Sequence, residues 1–340
     1  MMQNPDTIRN NLVQLGKVLG RPEDHSELNT AITRAEIENP WFTRKFILQQ
    51  IDYWHRNLTS QNLHKWLRHY PIPVKNPKTT GIVMAGNIPL VGMHDMISVL
   101  VSGHKAFIKV SSKDKVLPEC IKDILCGIDS QMSRFIHISD ERFTNVDALI
   151  ATGSNNTARY FDYYFRQTPH IIRKNRNGVA VLTGNETDAQ LKALADDVFQ
   201  YFGMGCRNVS KVYIPAGMDE TRLLDNMEAY RYFTEHNKYM NNYVYQKAIM
   251  LIDRQKFLDN DFLCFREHKD IASPVAVLHY ERYENARDLR KHLEAEMHNI
   301  QSVVSEGFDW PENVAFGQSQ NPPLNTYADN IDTIDFLLHL

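Results

Sequence analysis

From Gly81 onward the chain alternates short apolar runs of strand length with segments of helix length, and no other feature narrows its fold as far. Residues 81–85 (Gly-Ile-Val-Met-Ala) read as a strand, 90–102 as a helix, 106–110 as a strand and 118–128 as a helix. Further strands are expected at 135–138, 148–151 and 170–172. Strands separated by helix-length segments imply a parallel sheet with right-handed crossovers, the α/β architecture that places ligands at the carboxyl ends of its strands. A Rossmann-type parallel-sheet cofactor domain is therefore expected first. A second α/β unit begins near 179–182, with a helix over 187–202, a strand at 211–214, a helix-rich acidic stretch and a strand at 275–278. Before residue 80 the pattern is helical. Leu12, Leu15, Val18 and Leu19 recur at helical spacing, as do the apolar residues around Phe46, Ile51, Trp54 and Trp66, until Pro71, Pro73 and Pro77 break the run. The expected division is 1–180 for the N-terminal helices and nucleotide-binding domain and 181–312 for a catalytic domain. The tail, 313–340, is expected to pack back on the first domain or on a neighbouring subunit.

Composition excludes several classes. A chain of 340 residues, 43% hydrophobic and 23% charged, suffices for two cores. With a net charge of -3 and no long basic run it has no general attraction for nucleic acid. No stretch approaches the roughly 20 apolar residues that cross a bilayer, and the first residues lack a basic segment followed by an apolar one. A cytoplasmic protein with no membrane partner is expected. Cys120, Cys126, Cys206 and Cys264 have neither CxxC spacing nor matching histidine pairs, so reduced thiols without a metal site are expected.

Three places carry candidate chemistry. Cys206 lies in Gly203-Met204-Gly205-Cys206-Arg207-Asn208, a glycine-flanked thiol between an apolar helical run and an apolar strand. A small buried hydrophobe is the commonest fate of such a cysteine; an exposed thiolate would be a nucleophile. Gly-x-Gly-x-x-Gly is absent, and the first strand runs instead into Ala85-Gly86-Asn87-Ile88-Pro89. Lys109 leaves a strand just before Ser111, and Gly153-Ser154 leaves another before the helical stretch 157–165. Lysine and free backbone N–H groups at a helix start suit phosphate and ribose oxygens, although an N-cap and a solvated edge charge are the plainer readings. Asn87 alone could simply shape the turn before Pro89.

In order and spacing these motifs resemble those of the aldehyde dehydrogenase superfamily, and within it the short acyl-CoA reductases typified by the fatty acid reductase of bacterial luminescence. The resemblance spans about 81–278. Gly86-Asn87-Ile88-Pro89 is similar to the family's Trp-Asn-x-Pro, Lys109-Val110-Ser111 to Lys-Pro-Ser, and Thr152-Gly153-Ser154 to the Thr-Gly-Ser beside the cofactor pyrophosphate. The segment from Gly203 to Val212 resembles the Gly-Gln-x-Cys region, and Asp270-Ile271-Ala272-Ser273-Pro274-Val275 resembles Glu-x-Phe-Gly-Pro-Val. The resemblance implies an aldehyde-dehydrogenase-like fold. It also implies Cys206 as nucleophile, Asn87 as oxyanion donor with the Cys206 N–H, Lys109, Ser111, Gly153 and Ser154 on the cofactor, and Asp270 on the nicotinamide ribose.

The departures are informative. The glutamate that in the family often follows Lys-Pro-Ser and binds the adenine ribose is Ser112 here, which leans toward NADP (NADPH), with NAD the alternative. The hydrolytic members' Glu-Leu-Gly-Gly aligns with Ile172-Arg173-Lys174-Asn175, which offers no carboxylate to activate water. The reaction implied is reduction of an acyl thioester, from CoA or an acyl carrier, to an aldehyde. An acyl-phosphate reductase, a CoA-acylating aldehyde dehydrogenase and a non-catalytic nucleotide-binding subunit are the competing readings. An acyl-transferring protein partner and a homo-oligomer both remain open. The basic cluster 173–176 reads as a solvated linker, with contact to a CoA or NADP phosphate the alternative, and His94-Asp95 as capping or shaping the turn after Asn87. Tyr239, Met240, Tyr243, Tyr245 and Met250 form a stripe that is either core or acyl pocket.

Overall fold

The computed structural model describes residues 5–139, 143, 145–153, 161 and 163–340. The chain divides into two compact units, Met1–Asn175 together with Pro323–Leu340, and Arg176–Pro322.

The first unit opens with helices α1 (Pro5–Leu19), α2 (Ser26–Glu38), α3 (Arg44–Asn57) and α4 (Ser60–Leu67). Hydroxyls start two of them: Thr43 accepts from Phe46 N and Thr59 from Asn62 N, each satisfying an orphan donor of the first turn. The expected stripe of α1 is the buried one, Leu12, Leu15 and Leu19. Then follow β1 (Thr79–Val83), α5 (Met93–Val101), β2 (Lys105–Lys109), α6 (Val116–Ile128), β3 (Ile136–Ile138), β4 (Ala148–Thr152) and β5 (His170–Arg173). The strands pair in parallel in the order β3-β2-β1-β4-β5. Succession thus reverses between β1 and β4, where an open α/β sheet leaves a crevice at its carboxyl edge.

The last segment of the chain returns to this unit. His94 Nε2 donates to Leu324 O (2.8 Å), Trp66 Nε1 to Tyr327 Oη (2.8 Å), and His104 Nε2 to Leu337 O (2.8 Å). Arg173, expected in a solvated linker, is only 5% exposed: it ends β5, pairs with the buried Asp95 of α5 and donates to Thr333 Oγ1 (2.9 Å). The guanidinium enters the interior because each side of its fork finds an acceptor there. His94 and Asp95 accordingly anchor the tail and β5 from within α5, rather than only shaping a turn.

The second unit contains β6 (Asn177–Val181), α7 (Asp188–Phe199), β7 (Val209–Pro215), α8 (Asn237–Ile252), β8 (Leu258–Asp259), β9 (Cys264–Glu267), β10 (Val277–Tyr283), α9 (Ala286–Ala295) and β11 (Ile300–Val304). Its sheet order is β11-β6-β7-β10-β9-β8, parallel except for β8–β9. A capping box of Thr187 and Gln190 starts α7. On α8, Tyr239, Tyr243 and Met250 are buried in the core while Tyr245 is exposed, so the aromatic stripe divides between the two faces. No helix among the described residues is long and apolar enough to cross a membrane.

Removing one member of a buried ion pair leaves the other charged and unmatched, at a cost of about 3–5 kcal/mol. Asp95→Ala should lower the unfolding free energy by that amount in urea titration, and replacing Arg173 by methionine as well should recover part of it. An unchanged midpoint in Asp95→Ala would show that the pair does not hold β5 to α5.

Candidate active site

At the carboxyl edge of the first sheet, the chain leaving β1 lies against the chain leaving β2. Met84 N donates to Lys109 O (3.0 Å), and a Cβ on Gly86 would stand 2.6 Å from Ser111 Oγ and 3.0 Å from Lys113 Cβ. Only glycine allows that approach. Asn87 is half-buried in the same loop. Lys109 is the last residue of β2, half-buried, and its ammonium has no hydrogen-bond or ion-pair partner among the described residues. Ser111 Oγ accepts from Lys113 N (3.2 Å), leaving its own proton to donate. Gly153 follows β4, and its N–H reaches Arg173 O at 3.4 Å. Asn87, Lys109, Ser111 and Gly153 thus share one edge, whereas Ser154 lies outside the described residues.

In the second unit the helix expected over 187–202 stops at Phe199. Tyr201, Phe202 and Gly203 then follow one another in the left-handed region, at φ 52°, 57° and 73°. Two non-glycine residues there cost roughly 1–2 kcal/mol each. Burial of their rings offsets this, with the Phe202 ring tilted against Phe233 at 4.5 Å and against His236 at 4.3 Å between centroids. The side chain of Asn208, 1% exposed, explains the stop. Its Nδ2 donates to Asp197 O (3.0 Å), Val198 O (3.4 Å) and Gln200 O (2.9 Å), taking carbonyls that a continuing helix would use. Its Oδ1 accepts from Gly205 N (2.8 Å), and its own N–H closes the turn onto Gly205 O (3.0 Å). A Cβ on Gly178 would lie 2.6 Å from Arg207 O, so the start of β6 supports the turn from below. Cys206 sits on this turn at the head of β7. Of the four cysteines it alone is exposed, and none is in a disulfide. Burial pushes the Cys264 thiol up to about 12 and the Cys120 thiol up to about 11, both far from thiolate chemistry at neutral pH.

Asp270 lies on the segment that returns from β9 to β10. That crossover has no helix, so its carbonyls need donors from outside the ladder. Lys211 Nζ donates to Lys269 O (2.6 Å), His279 Nδ1 to Asp270 O (2.9 Å), and Ser210 Oγ to Ile271 O (2.7 Å). Lys211, wholly buried, is also paired with Glu281. Arg266 donates to His279 Nε2 (3.3 Å), fixing its tautomer. Three successive carbonyls are therefore pinned to β7 and β10, while the Asp270 carboxylate points outward with its side chain 76% exposed. Cys206 and Asp270 are linked through the first residues of β7. Neither Asn208 nor the Ser210, Lys211 and His279 donors were singled out from sequence; polar residues inside an apolar strand run are the signal that could have found them. No group of three or more histidine, cysteine or acidic residues able to hold a metal occurs among the described residues.

The two wound sheets, parallel except for β8–β9, have the fold of the aldehyde dehydrogenases. Similar solved structures include the aldehyde dehydrogenase KauB from Pseudomonas aeruginosa (12% identity over 92% of this chain and 73% of that one, TM-score 0.65). They also include a Mycobacterium tuberculosis aldehyde dehydrogenase complexed with NAD+ (11%, 93% and 76%, TM-score 0.68) and an NAD-dependent aldehyde dehydrogenase from Sinorhizobium meliloti (11%, 93% and 72%, TM-score 0.65). The resemblance carried by the motifs is borne out more narrowly as well: residues 73–227 match the family model of acyl-CoA reductase (LuxC), a stretch that takes in Asn87, Lys109, Ser111, Gly153 and Cys206. No curated protein matches the sequence. Fold and family match together support an aldehyde-related oxidoreductase.

Asn208→Ala would leave several buried backbone groups without partners, and should cost about 2–3 kcal/mol in chemical unfolding together with faster hydrogen exchange at Gly205. Retained protection there would show that the turn stands without the amide. A second expectation concerns acid. Burial, the largest cause, holds the His279 imidazole down to about 4 from 6.5. A histidine with a depressed folded-state pKa contributes stability that is present above 6.5 and lost as pH falls toward 4. The melting temperature should therefore decline across that window, and His279→Asn should shallow the decline; an unaltered slope would remove His279 as its source.

Proposed function

We propose that the chain reduces an acyl thioester, acyl-CoA or an acyl carrier, to the aldehyde at the expense of NADPH, by way of a thioester on Cys206. The observation that carries the reading is the exposed Cys206 thiol on a turn fixed by Asn208 at the head of β7, in a chain of this fold and family match. A second feature supports the reductive direction. The segment aligned with the hydrolytic relatives' Glu-Leu-Gly-Gly is Ile172-Arg173-Lys174-Asn175, with Ile172 in the place of the carboxylate, so no general base for water is offered there.

The first unit is assigned the cofactor and the second the thiol. The donor set at the carboxyl edge fits a dinucleotide: an ammonium on Lys109 with no partner among the described residues and a hydroxyl on Ser111 suit phosphate and ribose oxygens. Ser112 in place of a carboxylate favours the 2'-phosphate of NADP over NAD, and several of the similar solved structures carry NAD or NAD+. Asp270, exposed on a pinned backbone, is assigned the nicotinamide ribose. When bound, the nicotinamide supplies the hydride that brings the acyl carbon to the aldehyde level.

The protein's own part is nucleophilic. The Cys206 thiolate adds to the acyl carbonyl, the oxyanion is held by the Cys206 N–H and the Asn87 amide, and collapse expels the CoA or carrier thiolate, which takes a proton. After reduction, the Cys206 sulfur leaves as thiolate and the aldehyde departs. Sulfur suits both steps because it attacks readily and leaves readily. The reading needs Cys206 as a reduced thiol, which a cytoplasmic setting supplies.

The test is NADPH absorbance loss with short, medium and long acyl-CoAs, run beside Cys206→Ser. Turnover should fall by at least about a thousandfold in the mutant while NADPH binding is retained. A serine variant of comparable activity, or no consumption by the wild type with any acyl-CoA or acyl carrier, would overturn the proposal.

A further inference from the structure

Asp114 is a buried acid that the proposed chemistry does not use. It follows Ser111 in the loop after β2 and is 4% exposed. One carboxyl oxygen, Oδ2, accepts the N–H of Leu90 at 2.7 Å; the other, Oδ1, is buried and has no hydrogen-bond partner among the described residues. Leu90 belongs to the β1–α5 loop, three residues beyond Asn87, and its φ of 54° lies in the left-handed region that a branched side chain seldom adopts. Such a conformation persists only where its surroundings fix it. On one side Leu90 lines a small apolar cavity together with Met84, Met93, Met96, Pro118 and Ile121. On the other, its carbonyl accepts from Met93 N (3.1 Å) within the same segment, and its N–H is held across to the next loop by Asp114. The Asp114 N–H in turn bonds Ser111 O at 3.1 Å, and Gly86 closes against Ser111 Oγ.

The geometry points to Asp114 as the positioning residue for Asn87, locking the β1–α5 loop to the β2–α6 loop that carries Lys109 and Ser111. The inference rests on the role proposed for Asn87. The locking carboxyl works as the neutral acid. A buried carboxylate oxygen without a donor is costly, whereas a protonated carboxyl still accepts from Leu90 through its carbonyl oxygen. Burial accordingly pushes Asp114 up to about 7, with the Leu90 N–H opposing. Among the described residues no charged group counters this. Residues 84–92 contain no titratable side chain, and the α2–α3 corner presents Asn39, whose amide goes to Lys113 O (3.0 Å). Lys113 and Lys115 on the loop are exposed, and Lys109 and Glu119 are half-buried at its ends.

The experiment compares full-length wild type, Asp114→Asn, Asp114→Ala and Asn87→Ala by hydrogen exchange over 84–92, by kcat and KM for acyl-CoA and NADPH, and by melting temperature against pH. Asp114→Ala should speed exchange at Leu90 at least about tenfold. It should also lower kcat by about 10–100-fold with each KM within about threefold, as expected when a catalytic donor is displaced. Asp114→Asn, which keeps an oxygen for Leu90, should retain both protection and kcat. The wild type gains stability from its raised pKa below 3.8 and loses it as pH rises through about 7, so the asparagine variant should gain on it over that window. A folded Asp114→Ala with unchanged exchange and kcat would overturn the inference, as would an asparagine variant whose exchange at Leu90 is at least about tenfold faster and whose kcat is at least about tenfold lower than wild type. If the alanine variant does not fold, the asparagine variant decides alone. Wild-type kcat in Asn87→Ala would instead sink the role given to Asn87, while exchange at Leu90 would still report the lock.

Discussion

Parallel strand pairing is the constraint from which the rest of this molecule follows. Every ladder in the two sheets except β8–β9 is parallel, so each strand must be followed by a segment that travels back along the sheet. Loops of one kind then collect at one edge, which is why Asn87, Lys109, Ser111 and Gly153, remote in sequence, lie together after β1, β2 and β4. Where the return is a helix, its backbone satisfies itself. Between β9 and β10 it is not, and the carbonyls of Lys269, Asp270 and Ile271 fall on donors from β7 and β10. The buried polarity of Ser210, Lys211 and His279 is a consequence of topology, and its by-product is a rigid backbone under Asp270.

Buried polar side chains do the same for the other loops. Asn208 uses both ends of its amide to join the last turn of α7 to the Cys206 turn, and the Asp197 carboxylate takes Gly317 N (2.6 Å) and Ser319 N (2.8 Å). A single such bond contributes about 1 kcal/mol net, but leaving its partner buried and unmatched costs more, and that asymmetry makes these groups specify one loop conformation. The strain of Tyr201 and Phe202, and of Leu90, is held in place by neighbours of this kind. Apolar burial places the sheets; matched polar burial places the loops that carry Cys206 and Asn87.

The sequence reads well where burial is two-sided and poorly where it is not. Strands β1, β2, β4, β6 and β7 are legible from the apolar runs at their centres, as buried parallel strands should be, and the structure moves their ends by only a residue or two, in β7 to take in Ser210. Strand β11 escapes such a reading because Gln301 and Ser302 interrupt it beside a register irregularity, and β8 is too short to leave a pattern. The helix expected over 187–202 is correct to Phe199 and fails where a side chain nine residues further on takes its carbonyls, a tertiary event invisible to local periodicity. At the site, Cys206 and its glycines are legible as a motif. Asn208 and Asp114 are not, because in sequence an asparagine or aspartate near a turn looks like an ordinary turn residue.

Arg173 shows how chemistry and architecture are joined in this chain. On the proposed reading, the lack of a carboxylate at 172–175 keeps the acyl-enzyme from being handed to water. By the same alignment the place of the carboxylate is taken by Ile172, and its neighbour Arg173 is committed to Asp95 and to Thr333 Oγ1. A carboxylate put back at 172 would stand one residue from a guanidinium that already has its partners and that binds β5 to α5 and to the returning helix at Thr333–Leu338. On the proposed reading, the end of β5 therefore serves packing through Arg173 while offering the acyl-enzyme no base through Ile172.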